Sequence, residues 1–244
     1  MFLGKEGFHW WFGPVVNRND PLKQGRVQVR PIATHDDIEQ QYLPWAKLNQ
    51  ESNNPAQKGQ GASPTGIQVG SMAFGFYLDG DHMQLPHIIA TFHGAGDIHK
   101  LALGTNTLSD HKGVETYEPN SPYAAKYPYN KTNVTESGHV FEVDDTPDNE
   151  RLHQYHKSGT YHEVHPNGDE VVKIVGDSYE VIVGDKIVQI NGSVKIKVTG
   201  DYIIDTPLLQ TTGHVAAATG ASGSFTTPLG ETVTFRNGII TKKF

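Results

Sequence analysis

The sequence predicts an all-β chain in two parts, a small barrel followed by a repetitive shaft. Three observations carry that expectation. Five glycines, Gly168, Gly176, Gly184, Gly192 and Gly200, stand eight residues apart. The first 97 residues alternate between short runs of strand formers and turn-rich loops. No segment shows the 3.6-residue apolar period of an amphipathic helix.

Residues 1–97 contain the runs WWFGPVV, GRVQVRPI, LPWAKLN, SMAFGFYLDG and PHIIATFHG. They read as four or five strands, enough for one small barrel. The polar loop 49–66, rich in Gln, Asn, Gly and Pro, is expected to be exposed and mobile. Residues 98–138 form an extended linker, in which YEPNSPYAAKYPYNKTN carries three prolines and four tyrosines. Such a segment packs along a neighbour or stays extended rather than building a core of its own. Residues 139–207 are β-rich and end in the octads. Residues 208–244 form a distal segment: the small-residue stretch GHVAAATGASGS, then a hairpin with turns at Leu229-Gly230 and Asn237-Gly238.

The octads define the shaft. An eight-residue period fits neither a heptad nor a helical turn, and VVKIV, YEVIV, KIVQI, VKIKV and YIID between the glycines are strand formers. Each unit reads as a strand closed by a glycine corner. With glycine as position zero, Ile174, Ile182, Ile190, Val198 and Thr206 occupy position six, and Val172, Glu180, Val188, Ile196 and Ile204 occupy position four. Val194 holds the even position two, whereas Lys195, Lys197 and Gln189 hold odd ones. Tyr179 and Val181 also hold odd positions, so it is from about residue 186 that even positions face inward and odd ones face solvent. A single strand path offers that face nothing to pack against. A closed prism of three chains, an intertwined triple-stranded β-helix, would bury it and remove the sheet edges. A monomeric solenoid is the competing architecture, and it usually needs more coils than these repeats supply.

Composition restricts function more than fold. The net charge is −7, which argues against binding a phosphate backbone. Cysteine is absent, so there is no disulfide framework and no thiolate chemistry. Hydrophobic residues make up only 36% of the chain, which suits burial between chains. The start, MFLGKEGFHWWFG, is too short and too broken for a signal peptide, and no stretch reaches the roughly 20 apolar residues of a span. The Asn-x-Thr/Ser matches at Asn130, Asn133 and Asn191 read as chance.

Two runs carry a resemblance. WWFGPVVNRNDPLKQGRVQVRPIATHD, with LPWAKL and FGFYLDGDHMQLPHIIATFHG, resembles the N-terminal OB-fold domain of central spike proteins of contractile phage tails, most closely the T-even baseplate hub. The type VI secretion spikes (the VgrG family) and the baseplate assembly protein V family carry related versions. GHVFEVDDTPDNERLHQYHKSGTYHEVHPNGDEVVKIVGD resembles the junction where those chains enter the intertwined β-helix. The hub motif maps onto Trp11, Gly13, Arg18, Asp20, Pro21, Gly25, Arg26, Val27, Arg30, Pro44 and Trp45. The resemblance implies a structural, membrane-piercing spike in the virion tail baseplate, assembled in the host cytoplasm. It implies a homotrimer, tail-tube or hub proteins at the N-terminal end, contact with the host envelope, and at the C-terminal end either a separate PAAR-like cap or a self-made, metal-free tip. The T-even protein has a lysozyme domain between barrel and β-helix, whereas here that interval is about 40 residues of linker, too short for one. Its hydrolase activity is therefore not carried over.

Individual residues support the same reading. Trp10, Trp11, Trp45, Arg18, Arg26 and Arg30 could line an oligonucleotide-binding OB face. The alternation of WWFG and GRVQVR instead places some of the aromatics in the core and leaves the arginines to pair with acids such as Asp20 or Asp36. His153/His156 and His162/His165 are each three apart, so on a strand their rings point to opposite faces and do not chelate. An inward histidine repeated three times would place an ion on a threefold axis, but solvated or hydrogen-bonded histidine is the simpler reading. His214 lacks the His-x-His partner of iron-bearing tips. Asp144 and Asp145 are adjacent and point apart, and His9, Asp36 and Ser63 lack any nucleophile context. No catalytic residue, metal site or cofactor is expected. The alternatives are a glycan hydrolase on a trimeric β scaffold and a nucleic-acid-binding OB protein with a trimerising tail.

Overall fold

A computed structural model describes residues 7–93, 119–213, 215, 222–236 and 239–243. The chain divides into two compact units, 1–180 and 181–244, each taken by itself below.

The first unit opens with a closed barrel of β1 (Trp10–Asn17), β2 (Val27–Val29), β3 (Trp45–Leu48), β4 (Met72–Tyr77) and β5 (Pro86–Phe92), in the order β1-β2-β3-β5-β4. These are the strands that the alternating runs predict. β3 and β5 pair in parallel and every other pair is antiparallel, as an OB-fold requires. Along β1 the period of two turns Trp11 and Val15 inward, to join Val27, Val29, Ala46, Ala73, Tyr77 and Ile88 in the core.

Two glycines let the barrel close. A Cβ on Gly13 would run into the Arg30 carbonyl oxygen, and one on Gly75 into the His87 carbonyl oxygen, with the Trp11 ring 2.8 Å away. Backbone cannot yield as a side-chain tip can. Gly75→Ala is expected to destabilise the chain by about 3 kcal/mol, read as a lower denaturant midpoint for the tryptophan signal.

The β1–β2 connection is fixed by Asp20. Its carboxylate accepts from the N–H groups of Leu22, Gln24 and Arg26 and from the Arg26 guanidinium, which lies 5.6 Å from the Trp45 ring. The hydrogen bond from Arg26 holds the Asp20 carboxyl well below the usual carboxylate range, against the opposing pull of desolvation. Arg30 does not meet the Asp36 carboxylate. Its Nη1 donates instead to the carbonyls of His35, Asp36 and Ile38 at 3.3, 3.0 and 2.5 Å.

A five-stranded antiparallel sheet follows in sequential order: β6 (Asn130–Val134), β7 (Val140–Asp144), β8 (Arg151–Tyr155), β9 (Tyr161–Val164) and β10 (Glu170–Lys173). β6 lies inside the segment expected to be linker. Three of its hairpins share one turn. Gly138, Gly159 and Gly168 have φ of +87°, +96° and +87°, and each donates its N–H to the residue three back. This is a three-residue loop closed by a left-handed glycine. Gly168 is thus a hairpin glycine and not a member of the corner series. Gly176, Gly184, Gly192 and Gly200 are absent from the left-handed region, and a Cβ on any of them would meet nothing within 4 Å in this chain.

In the second unit the octads run as a ribbon that forms no strand pairing within the chain. Bends recur at 183–184, 191–192 and 199–200. Ile182, Ile190 and Val198 are 45–51% exposed, whereas Val183, Ile187 and Ile203 are 81–102% exposed. The even positions thus share one side. Beyond the ribbon, β11 (Gly223–Thr226), β12 (Thr232–Arg236) and β13 (Ile239–Lys243) form a three-stranded antiparallel sheet. The turn at Gly230, φ +82°, is the one the sequence predicts. Asn237 and Gly238 lie outside the described residues.

Candidate assembly interface

The two faces of the five-stranded sheet invert the usual pattern. Its covered face carries charge. Glu142, Asp144, Arg151, His153 and Glu163 are all at most 3% exposed. Its open face is apolar: Phe141, Val143, Leu152, Val172 and Ile174 are 44–58% exposed. Strand periodicity explains how both occur together, because FEV, RLH and YHE each alternate and the register sets Glu142 opposite His153 and His153 opposite Glu163.

The charged face is closed by hydrogen bonds and by the segment ahead of β6. Arg151 Nη1 donates to Glu163 Oε2 at 2.7 Å, and Nη2 donates to Glu142 Oε1. His153 Nδ1 lies 2.8 Å from Glu163 Oε2, and His165 Nε2 lies 2.9 Å from Glu163 Oε1. Asn130 Nδ2 donates to Glu142 Oε1 at 3.1 Å. The Tyr123 ring covers the Arg151 guanidinium at 4.9 Å, and the Lys126 N–H donates to Thr146 Oγ1 at 3.0 Å. Residues 119–129 thus lie against this face, where Tyr123 and Lys126 meet it.

Burial alone would raise the Glu163 carboxyl. Hydrogen bonds from His153, Ser121 and Arg151 outweigh it and bring the pKa down to about 2. The unfolded value is higher, near 4.5. A depressed carboxylate contributes stability that is full above its unfolded pKa and is lost as pH falls through the folded one. Stability is therefore expected to drop steeply between pH 4.5 and about 2, and Glu163→Gln to flatten that limb. An acid titration followed by circular dichroism on both proteins checks it.

The barrel offers a second surface. Outward residues of β1 and β4 build an aromatic strip: Trp10 stacks on Phe74 with ring centroids 5.2 Å apart, and Phe8 stacks on Phe76 at 5.5 Å. Trp10 is still 56% exposed and Phe12 49%. Trp11, the next residue, is core. Arg18 leaves the barrel for the sheet, where its two Nη atoms donate to the Glu136 carboxylate at 3.0 and 2.8 Å.

The hub-motif residues are thus scaffold. Trp11 and Val27 are core, Gly13 and Gly25 allow close approach, Asp20 and Arg26 hold the turn, and Trp45 begins β3 beneath Arg26. The octad residues Ile182, Val188, Ile190, Val194, Ile196, Val198 and Ile204 are all exposed, and the single chain does not bring them together. The paired histidines diverge as expected. His153 and His165 turn inward, His162 pairs with Glu170 at 2.8 Å, and the His156 ring sits 4.4 Å from that of His139. Asp144 is buried while Asp145 reaches Lys131 at 2.5 Å. Among the described residues no three His, Cys, Asp or Glu side chains gather as a metal cluster. Sequence reading missed the Glu142–Arg151–Glu163 network. The signal available was a charged residue in each of three successive strands, brought face to face by the hairpin register.

No family profile matches the chain. It is 32% identical to Protein Gp5 of Vibrio phage KVP40, in an alignment covering 82% of this chain and 66% of the relative. It is 41% identical over 99 residues to the pre-baseplate central spike protein Gp5 of Enterobacteria phage T4, covering 39% of this chain and 17% of the relative. The chain thus spans a little under two thirds of the first relative's length and far less of the second's. The first match runs through most of the chain, and the fold it accompanies is all-β with a closed five-stranded barrel at the N-terminal end. On these grounds the chain belongs to the phage Gp5 family of central spike proteins.

Proposed function

We propose that the chain acts as the homotrimeric central spike of a phage tail baseplate, a structural shaft driven through the host envelope. The octad ribbon carries this reading. Its apolar side chains share one side, its backbone finds no strand partner within the chain, and its four corner glycines open onto free space. Two further copies supply all three needs at once, as walls of a prism into which Ile182, Val188, Ile190, Val194, Ile196, Val198 and Ile204 point. The open apolar face of the five-stranded sheet is buried in the same association. Interwoven chains suit a shaft under compression, since unfolding must disengage all three together.

The aromatic strip around Trp10 and Phe74 is the surface for hub or tail-tube proteins, and the distal sheet β11–β13 is the place for a pointed cap. Nothing in this role requires catalysis, a cofactor or nucleic acid. Of the buried carboxylates of the sheet, Glu142 and Glu163 bond Arg151. Multi-angle light scattering is expected to give about three times the 26.8 kDa chain mass. A monomer at micromolar concentration would overturn the shaft.

A further inference from the structure

The covered face of the five-stranded sheet gathers three carboxylates around a single permanent cation. Glu142, Asp144 and Glu163 are at most 3% exposed and share the face with the Arg151 guanidinium and with the imidazoles of His153 and His165, both of which lie against Glu163. Arg151, His153 and His165 account for both oxygens of Glu163, and Arg151 and Asn130 for one oxygen of Glu142. Asp144 Oδ1 accepts from the Thr146 N–H at 3.0 Å. On this face the buried side-chain atoms without a hydrogen-bond partner are then three oxygens, Glu142 Oε2, Asp144 Oδ2 and Asn130 Oδ1, and one donor, the Nε of Arg151. The register brings their residues together. Asn130 lies directly opposite Asp144 across β6 and β7, and Glu142 is two residues from Asp144 on the same face.

A buried carboxylate oxygen without a partner is costly, and two in one enclosed place are more so. A hydrogen-bond donor in the wall would relieve one of them. Three acceptors, one a neutral carboxamide oxygen that offers a proton to nothing, match a different occupant. Hard divalent cations take carboxylate, carboxamide and water oxygens together. We propose that Asn130 Oδ1, Glu142 Oε2 and Asp144 Oδ2 bind a divalent cation, calcium or magnesium, beneath the Tyr123 cover. The mixed donor set explains why the place contains no trio of acidic or histidine ligands. The cation offsets the surplus charge, ties β6 to β7 and fixes the start of the sheet. The site lies within one chain's own sheet and stands whether or not three chains associate.

The test uses the full chain, unfolded and refolded in calcium, in magnesium or in chelator. Elemental analysis after desalting is expected to find about one divalent ion per chain, and the chelated protein to melt lower by roughly 2–8 °C. Terbium added to chelated, refolded protein is expected to luminesce on tyrosine excitation, and Tyr123→Phe to dim that signal without abolishing the calcium shift in melting. Asp144→Asn should lose ion, luminescence and shift together. Asn130→Asp, which adds a fourth carboxylate, should bind the ion more tightly and become more sensitive to chelator, so the proposal survives an Asp144 variant that fails to fold. Equal melting in all three media, with no retained ion and no terbium signal, would show that buried water or a protonated carboxyl fills the place, and would overturn the proposal. An Asn130→Asp protein indifferent to calcium would do the same.

Discussion

Arg151→Met is expected to unfold the five-stranded sheet. The guanidinium is 3% exposed and bonds two carboxylates that are at least as buried. Removing one partner of such a network leaves uncompensated charge in the interior, at a cost of about 3–5 kcal/mol. Two carboxylates are abandoned here, so the upper end of that range applies. Removing all the charge is a different matter, since a buried ion network exchanged for neutral groups of similar shape is often tolerated. The triple variant Arg151→Met, Glu142→Gln, Glu163→Gln should therefore recover a large part of the loss. Thermal unfolding of the wild type, single and triple variants, with amide hydrogen exchange along 130–173, reads both effects. A single variant as stable as the wild type would show that the network carries no weight.

Ile196→Asp is expected to abolish the trimer. On the proposed prism axis it sets three carboxylates side by side in an apolar interior, a cost of several kcal/mol per trimer at least. Lys197→Asp, one residue on and on the opposite side, should change the mass and the melting very little. Light scattering on the two variants separates them. If the lysine change dissociated the protein and the isoleucine change did not, the inward set would be the odd positions, since a shift of one residue turns every side chain over.

The barrel was legible because its rules are local. WWFGPVV and SMAFGFYLDG alternate, Gly13 and Gly75 stand where strands must approach, and Asp20 followed by Arg26 makes a self-contained turn. The glycine series was legible as a repeat, but Gly168 falls in register with the corners while serving a hairpin, and only the sign of φ separates them. β6 was hidden because NKTNV has no apolar alternation. Its one buried side chain is Asn130, held by the charged network and not by a hydrophobic core. The polarity of the sheet was hidden for a related reason. The expectation that apolar residues face inward would bury Phe141, Val143 and Leu152 and expose Glu142, Arg151 and His153, and in the isolated chain the reverse holds. Charge can occupy the covered face because Arg151, His153, His165 and Asn130 bond both oxygens of Glu163 and one of Glu142. That bonding depends on side-chain geometry across neighbouring strands and is not written in any single segment.

The sequential order of β6 to β10 has a consequence for how the molecule comes together. Each strand pairs with the one just made, across loops of a few residues, so every contact in that sheet is local. Low contact order makes for fast folding, on a timescale independent of how many other chains are present. The octad ribbon has no pairing to make within its own chain, so any ladder it forms carries a rate that rises with chain concentration. Refolding is thus expected to separate into a quick unimolecular phase and a slow phase of higher order. Dilution would stretch the second and leave the first alone. If the proposed trimer forms, a newly made chain would meet the other two with the sheet already set and the ribbon still open. A shortage of copies would then halt assembly at that half-folded stage.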